Sequence, residues 1–199
     1  GFNVESFVGA AQEYQAELTW LVPTMIYDLL DKAKHRARDL ASLRALVYSG
    51  APAAPARLRE AIDMLGPVLI QSYGQTEAPN TVLMLNQSDH VGGNDTRLSS
   101  AGRPYPGVQV ALLGDDGQPV APGDSGEICV RGPLVMSGYW QQPEQTAETL
   151  KGDWLHTGDV GYRDSEGYYF IVDRKKDMII SGGFNVYPRE IEDGLTQHP

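Results

Sequence analysis

The fold is decided by residues 44–74, which read RALVYSGAPAAPARLREAIDMLGPVLIQSYG. The segment begins with a short apolar run that ends in Ser49-Gly50, and a second apolar run ends in Tyr73-Gly74. Between them, Pro55 occupies a position that suits the first turn of a helix, and apolar residues follow it at helical spacing. The segment therefore predicts a strand at 44–48, a helix at 55–65 and a second strand at 68–70.

The residues before this segment repeat the alternation of helix and strand. Apolar residues recur at helical spacing over 3–18 and again over 24–38, and the short apolar run Thr19–Val22 lies between these two segments. Strands that alternate with helices indicate a parallel sheet with covering helices, so the fold class is α/β. In such sheets ligands bind beyond the carboxyl ends of the strands, which nominates Ser49-Gly50 and Tyr73-Gly74 as parts of a site.

The residues after Gly102 have a different pattern, rich in proline, glycine and short alternating runs. Strands are predicted at Val108–Leu112 and Glu127–Arg131, and a short helix at 144–150. Two acidic, glycine-ended sequences, Asp115–Gly117 and Asp164–Gly167, are typical of hairpin turns. This part of the chain predicts a small antiparallel, β-barrel-like unit added to the α/β layer.

The last residues predict the beginning of a further α+β subdomain. A charged link is followed by a strand at Met178–Ile180, a Gly-Gly turn and a helix that begins at Pro188. The predicted division is an α/β part at 1–97, a β-rich subdomain at 98–173 and the start of a small C-terminal domain at 174–199.

Composition excludes several classes of partner. The chain has 199 residues, 41% of them hydrophobic, and a formal net charge of −10, which argues against nucleic acid or an anionic membrane surface as a partner. No apolar run is long enough to span a membrane. The single cysteine, Cys129, lies in an apolar strand and is expected to pack in the core, and its lack of a disulfide partner favours a reducing, cytoplasmic compartment.

Other kinds of catalytic site have little support in the sequence. The four histidines, at 35, 90, 156 and 198, are scattered without the spacing of metal ligands. Neither a G-x-S-x-G elbow, a G-x-G-x-x-G loop nor a Walker-type loop is present.

The segment Tyr73-Gly74-Gln75-Thr76-Glu77 is a candidate phosphate and metal site. A small polar turn after a strand brings backbone N–H groups and the Thr76 hydroxyl close to a phosphate, and the carboxylate of Glu77 suits Mg²⁺. Tyr73 offers a ring face to a purine. The alternative is a plain strand-to-helix turn in which Thr76 is the N-cap residue.

The segment Trp154–Asp159 is a candidate ribose site. An aspartate after a tight Thr-Gly turn can accept two hydrogen bonds from a diol, which would make Asp159 a ribose ligand. The alternative is an aspartate with the ordinary role of a hairpin turn. His156 is expected to be a packed imidazole, because the sequence indicates no partner for it.

Two further segments carry alternatives of their own. Asp173-Arg174-Lys175-Lys176-Asp177 is either a solvated link or a junction from which an arginine reaches a nucleotide. The segment from Ser181 to Glu192 is a glycine loop followed by a helix, which by itself indicates only a β-to-α connection.

Taken together and in this order, the segments resemble the adenylate-forming superfamily, which contains acyl-CoA synthetases, aryl-CoA ligases, luciferases and peptide-synthetase adenylation domains. The resemblance runs from about Thr19 to the end of the chain. The segments that carry it are Ser49-Gly50-Ala51-Pro52, Tyr73–Glu77, Gly126–Gly132, Gly138-Tyr139, Thr157-Gly158-Asp159 and Asp173–Lys176.

The resemblance implies an acyl-CoA synthetase with ATP, Mg²⁺ and coenzyme A as cofactors and a small-molecule carboxylic acid, fatty or related, as substrate. The carboxylate attacks the α-phosphate of ATP, and a thiol then displaces AMP from the acyl-adenylate. By the resemblance, Thr76 contacts phosphate, Glu77 binds Mg²⁺, Tyr73 packs on the adenine, Asp159 binds the ribose and Arg174 contacts the same nucleotide. The residues that line the adenine and acyl pockets are Ser49, Gly50, Ala51 and Gly74, and Gln75 is a further cofactor-binding residue. Lys176 is implied to be a hinge, and Gly182 and Gly183 border the thiol tunnel.

By the same resemblance, the family's phosphate-clamping loop should lie before Gly1 and its catalytic lysine beyond Pro199. We therefore expect this chain to be a piece of a longer enzyme and to form no acyl-CoA by itself. The alternatives are an adenylation domain that loads a carrier protein, a luciferase-like oxygenase and a non-catalytic nucleotide-binding fragment.

Overall fold

The computed structural model describes residues 1–92, 94–175, 179–181 and 184–186. The chain divides into two compact units. Unit 1 comprises Gly1–Gly74 and Leu83–Gly102, and unit 2 comprises Gln75–Val82 and Arg103–Pro199. Among the described residues, no helix is long and apolar enough to cross a membrane.

The alternation of helix and strand predicted for the first third of the chain is confirmed. Strands β1, β2 and β3 pair in parallel, with Leu46 beside Thr19 on one side and beside Leu69 on the other. The sheet runs in the order β1-β2-β3-β4-β5. The elements of this region are α1 (Val4–Glu13), β1 (Leu18–Leu21), α2 (Pro23–Ala33), a 3₁₀ segment (Lys34–Leu40), β2 (Ala45–Tyr48), α3 (Pro55–Leu65), β3 (Leu69–Gln75), β4 (Ala78–Leu85), α4 (Gln87–Gly92), α5 (Asp95–Leu98) and β5 (Arg103–Pro104).

Two helices end earlier than their apolar spacing predicts. Helix α1 begins after Asn3, whose side chain accepts a hydrogen bond from the backbone N–H of Ser6, but it ends at Glu13. Helix α2 ends at Ala33, and the chain continues as a 3₁₀ segment with a non-helical residue at Arg36. The Arg36 side chain forms ion pairs with Glu5 and Asp39, which fix this irregular segment against α1.

A buried polar pair lies in the core of unit 1. The hydroxyl of Tyr48 lies 2.9 Å from Nε2 of His90, and Nδ1 of His90 lies 2.7 Å from the carbonyl oxygen of Asn86. A carbonyl only accepts, so Nδ1 carries the proton and Nε2 accepts from Tyr48. Burial lowers the pKa of His90, so the imidazole is held neutral.

Unit 2 is built on an antiparallel sheet in the order β10-β9-β7-β6, with β8 paired to β9. This confirms the predicted antiparallel unit, which over the described ranges is an open sheet and not a closed barrel. The elements are β6 (Gln109–Leu113), β7 (Gly126–Arg131), α6 (Pro143–Thr149), β8 (Leu150–Lys151), β9 (Trp154–Arg163), β10 (Tyr169–Arg174), β11 (Ile179–Ser181) and β12 (Phe184–Val186).

The turns of unit 2 follow their sequence signals. Asp164 joins β9 to β10, where its side chain accepts from the backbone N–H of Tyr168 and its carbonyl from that of Gly167. Strands β11 and β12 form an antiparallel pair where one strand had been expected. The Gly-Gly turn at 182–183 and the helix predicted from Pro188 lie outside the described residues.

Candidate functional site

The segment Thr76-Glu77 is the two-residue connection of a hairpin. Strand β3 continues through Tyr73 and Gly74 to Gln75, and β4 begins at Ala78. The expectation that a strand ends at Tyr73-Gly74 is therefore wrong, and so is the alternative in which Thr76 caps a helix. The physical reason is that residues 78–85 pair in the sheet as a strand, so no helix N-terminus exists here for Thr76 to cap.

The carboxylate of Glu77 is held within unit 2 by a tyrosine. The hydroxyl of Tyr139 donates to Oε1 of Glu77 over 2.7 Å, and the carbonyl of Glu77 accepts from the backbone N–H of Met136 over 2.8 Å. The hydrogen bond to Glu77 and, next, partial burial raise the pKa of Tyr139, so its hydroxyl stays a donor. The carboxylate of Glu77 is thus anchored, and a carboxylate is the kind of ligand that Mg²⁺ prefers.

The segment Thr157-Gly158-Asp159 is a bulge inside strand β9. His156 pairs with Cys129 and Val160 with Glu127, so three residues of β9 lie opposite the single residue Ile128. Gly158 has φ +74°, a left-handed conformation that favours glycine. The alternative of a hairpin-turn aspartate is therefore wrong, because Asp159 lies in a strand interior where the extra residues re-aim it.

Hydrogen bonds fix the shape of this bulge. The hydroxyl of Thr157 donates to the carbonyl oxygen of Ile128 over 2.6 Å and accepts from the backbone N–H of Asp159 over 3.1 Å. The Asp159 side chain is buried, with 7% of its residue surface exposed. Thr157 therefore orients the backbone that carries Asp159.

The structure brings two predicted nucleotide ligands together. Arg174 at the end of β10 pairs with Asp159 of β9, and its Nε lies 3.3 Å from Oδ1 of Asp159. The Arg174 side chain is 58% exposed, so its guanidinium can contact a ligand while it stays close to the carboxylate. A carboxylate acceptor and a cationic donor at one place suit a group that carries both hydroxyls and phosphate.

Glu127, which the sequence analysis did not single out, has a largely buried carboxylate that contacts the bulge. Glu127 accepts from the backbone N–H of Gly158 through Oε1 at 3.0 Å, and its Oε2 lies 3.0 Å from Nδ1 of His156 and 3.6 Å from Nζ of Lys175. Burial raises the pKa of Glu127, but the bonds from His156 and Gly158 and the charges of His156 and Lys175 outweigh it and lower the pKa overall. Glu127 is therefore ionised.

His156 thus has a partner, contrary to the expectation from sequence. The signal that could have found it is strand alternation, because Glu127 and Cys129 lie on one face of β7 and Cys129 pairs with His156. A hydrogen bond to a carboxylate places the proton of His156 on Nδ1.

Cys129 packs in the core as expected, since it is fully buried. Burial raises the pKa of its thiol to about 12. Donor atoms of Glu127, Cys129 and His156 lie within 4.8 Å of one another, a distance that allows metal ligation. The carboxylate of Glu127 already has the ammonium of Lys175 nearby and accepts hydrogen bonds from two N–H groups. The geometry is therefore that of a satisfied polar network.

An open, polar groove of about 560 Å³ in unit 2 is lined by Glu77 of the hairpin connection and by Thr157 and Gly158 of the bulge, whereas Thr76, Asp159 and Arg174 are not among its lining residues. Its acidic and amide side chains offer oxygen atoms, the donors that a hard cation such as Mg²⁺ takes, and its two lysines can neutralise phosphate. The lining residues are Gln75, Glu77, Glu127, Tyr139, Glu148, Thr149, Lys151, His156, Thr157, Gly158 and Lys175.

The remaining predicted residues belong to unit 1 or lie outside the described residues. In unit 1, the pairing of Tyr48 with Gln71 places Ser49, Gly50 and Ala51 at the same end of the sheet as Tyr73 and Gly74. The Ser49 hydroxyl accepts from the indole N–H of Trp20 over 2.8 Å, and Gly50 has φ +87°. Lys176, Gly182 and Gly183 lie outside the described residues.

Comparison with known proteins agrees with these segments. The family model "AMP-binding enzyme" matches residues 2–140. The chain is 50% identical over 198 residues to a medium/long-chain-fatty-acid–CoA ligase of Mycobacterium tuberculosis and 44% identical to a feruloyl-CoA synthase of an Amycolatopsis species. These alignments cover 100% of this chain but only 34% and 39% of the relatives, so the chain spans little more than a third of their length.

Solved structures agree in fold as well as in sequence. The amide bond synthetase McbA from Marinactinospora thermotolerans superposes with a TM-score of 0.92 at 41% identity, over 100% of this chain and 40% of that one. The O-succinylbenzoate coenzyme A synthetase of Bacillus subtilis, solved with ATP and a magnesium ion, gives a TM-score of 0.87 at 33% identity, over 100% of this chain and 40% of that one. The chain belongs to the AMP-binding enzyme family.

Proposed function

We propose that the protein activates a carboxylic acid with ATP to an acyl-adenylate and then transfers the acyl group to coenzyme A, with a fatty or related acid as substrate. The observation that carries this proposal is the pairing of Asp159 with Arg174 beside a bulge whose groove also contains the anchored carboxylate of Glu77. Asp159 suits the hydroxyls of a ribose, Arg174 suits a phosphate, and Glu77 suits a divalent cation.

In this proposal the residues of unit 2 bind and orient the nucleotide. Asp159 accepts hydrogen bonds from the ribose hydroxyls, and Arg174 donates to the same nucleotide. Glu77, fixed by Tyr139, holds Mg²⁺, and the Thr76 hydroxyl donates to a phosphate oxygen. The bound cation would neutralise charge on the phosphates, and the protein supplies positioning and fixed dipoles.

The proposal also gives roles to residues of unit 1. Tyr73 packs on the adenine, and the small residues Ser49, Gly50, Ala51 and Gly74 line the adenine and acyl pockets. Small side chains at the ends of parallel strands leave room for a ligand to approach the backbone. We further propose a hinge at Lys176 between the two half-reactions and a thiol tunnel bordered by Gly182 and Gly183.

The relatives support the acid and the acceptor to different degrees. A fatty-acid–CoA ligase and a feruloyl-CoA synthase both activate a carboxylic acid for coenzyme A, which favours a thioester product. The amide bond synthetase, by its name, forms an amide, which favours an amine acceptor as the second candidate. Transfer to a carrier-protein thiol and a role in nucleotide binding without catalysis are the remaining alternatives.

The test is product analysis with the intact enzyme, ATP and Mg²⁺. Medium-chain, long-chain and aryl acids are each supplied with coenzyme A, a carrier protein or an amine, and the products are identified by mass spectrometry. The proposal expects AMP and an acyl-CoA thioester from a fatty or related acid. An amide or an acyl-carrier protein in place of the thioester would reassign the acceptor, and no acyl-adenylate from any acid would refute the activity.

A further inference from the structure

Glu127 contacts both of the segments that bear the proposed nucleotide ligands. From β7, its carboxylate accepts from the backbone N–H of Gly158, the residue directly before Asp159. The same carboxylate lies 3.6 Å from the ammonium of Lys175, the residue directly after Arg174. One side chain thus contacts the neighbours of both ligands in the sequence.

The two segments also meet each other. The backbone N–H of Lys175 donates to the carbonyl oxygen of Gly158 over 2.8 Å, and Arg174 pairs with Asp159. The N–H and the carbonyl of Gly158 are therefore both engaged, one by Glu127 and one by Lys175. A bulge interrupts the regular ladder of backbone hydrogen bonds, so the Glu127 carboxylate supplies the acceptor that Gly158 would otherwise lack.

The carboxylate of Glu127 is shielded from solvent and lies close to the ammonium of Lys175. The groups that face Glu127 are His156, Cys129 and Lys175, and its side chain is only 11% exposed. Lys175 has a second carboxylate, Asp115, at 2.7 Å, which is 92% exposed and is the main cause of the raised pKa of Lys175. Glu127 is the better-shielded partner. It accepts from the N–H groups of His156 and Gly158, with the ammonium of Lys175 at 3.6 Å, while the hydroxyl of Thr157 fixes the bulge from its other side.

We propose that Glu127 is a positioning residue, which through the N–H of Gly158 and the ammonium of Lys175 holds Asp159 and Arg174 in the arrangement that binds the nucleotide. In this proposal Glu127 acts through these two contacts and not as a ligand of the nucleotide. The proposal rests on the proposed function, because it takes Asp159 and Arg174 as nucleotide ligands.

The experiment uses two substitutions and a matched control in the intact enzyme. Glu127→Ala removes the acceptor of Gly158 and the charge facing Lys175, whereas Glu127→Gln keeps an amide oxygen for Gly158 and removes the charge alone. Asp115→Asn removes the other carboxylate at Lys175 and leaves the bulge untouched. For each variant the KM for ATP, the KM for the acid, kcat and the melting temperature are measured, together with hydrogen exchange of the backbone amides of the bulge.

We expect Glu127→Ala to raise the KM for ATP by about tenfold, the loss of one charge-assisted hydrogen bond, while the KM for the acid is unchanged. Glu127→Gln should recover part of this loss, and Asp115→Asn should stay within about twofold of wild type. The amide of Gly158 should exchange faster in Glu127→Ala. If Glu127→Ala does not fold, the Gln variant carries the test, with an intermediate rise in the KM for ATP.

A double-mutant cycle decides whether Glu127 acts through Asp159. We expect the loss of ATP affinity in the double variant Glu127→Ala/Asp159→Ala to be clearly smaller than the sum of the two single losses, because only Arg174 is then left for Glu127 to position. Fully additive losses, equal rises in both KM values, or an unchanged exchange rate of the Gly158 amide would overturn the proposal. Failure of the proposed function would be recognised separately. The wild type would then form no acyl-adenylate, whereas hydrogen exchange would still show whether Glu127 fixes the Gly158 amide.

Discussion

The substitution Asp159→Ala in the intact enzyme is the most informative perturbation of the nucleotide site. Asp159 is buried, and the proposal gives its carboxylate the ribose hydroxyls as donors. Hydrogen bonds to a charged acceptor contribute about 1.5–3 kcal/mol, which corresponds to a loss of about 10- to 160-fold in ATP affinity. The nearby Arg174 loses an ion-pair partner, but this side chain is 58% exposed and water replaces the carboxylate at a cost of about 1 kcal/mol or less.

The fold should survive this change. The backbone N–H of Asp159 bonds to the Thr157 hydroxyl, and this contact does not depend on the aspartate side chain. The matched variant Asp159→Asn keeps the shape and one acceptor oxygen, so it should lose less affinity than Asp159→Ala. Calorimetric titration of ATP into each folded variant measures the difference. An ATP affinity equal to that of wild type, with an unchanged melting temperature, would refute the ribose assignment of Asp159.

Further predictions concern the metal ligand, a buried histidine and the proposed hinge. Tyr139→Phe removes the donor to Glu77 and should raise the Mg²⁺ concentration for half-maximal ATP binding by about fivefold, roughly 1 kcal/mol. An unchanged Mg²⁺ titration would show that Tyr139 does not support the metal ligand. Because burial lowers the pKa of His90, the unfolded state takes up a proton first as the pH falls below about 6.5, and the free energy of unfolding should decrease by up to about 1.4 kcal/mol per pH unit. Denaturant titrations between pH 7 and 5 measure this slope. The slope should become shallower in His90→Gln, and an unchanged slope would show that His90 is not its source. Lys176→Pro should leave pyrophosphate–ATP exchange nearly unchanged and impair transfer of a preformed acyl-adenylate to coenzyme A, while equal losses in both steps would exclude a hinge.

The parallel sheet could be predicted from sequence because its signals are local. Pro55 stands at the first turn of α3, and apolar residues repeat at 3.6-residue spacing between two short apolar runs. The extension of β3 to Gln75 and the whole of β4 were missed for a different reason. Tyr73-Gly74 has the composition of a turn, but pairing with neighbouring strands keeps these residues extended up to Gln75.

The site itself depends on strand register, which the sequence does not specify locally. Thr157-Gly158-Asp159 has turn composition, and only its pairing with β7 shows that three residues face Ile128 in a bulge. The contacts of Glu127 with His156 and Lys175 join residues about 30 to 50 positions apart, so no local pattern indicated them. The family resemblance indicated Asp159 and Arg174 as ligands, and the β9–β10 pairing supplies the physical reason for their proximity.

A crystal structure of the intact enzyme with ATP or AMP bound would locate the ribose relative to Asp159. We expect the 2′- and 3′-hydroxyls of the ribose to lie about 2.5–3.0 Å from the carboxylate oxygens of Asp159, with Arg174 in contact with the same nucleotide. Glu127 should remain bonded to the N–H of Gly158 in that complex. A nucleotide bound with its ribose away from the β9 bulge would contradict the nucleotide site proposed for Asp159 and Arg174.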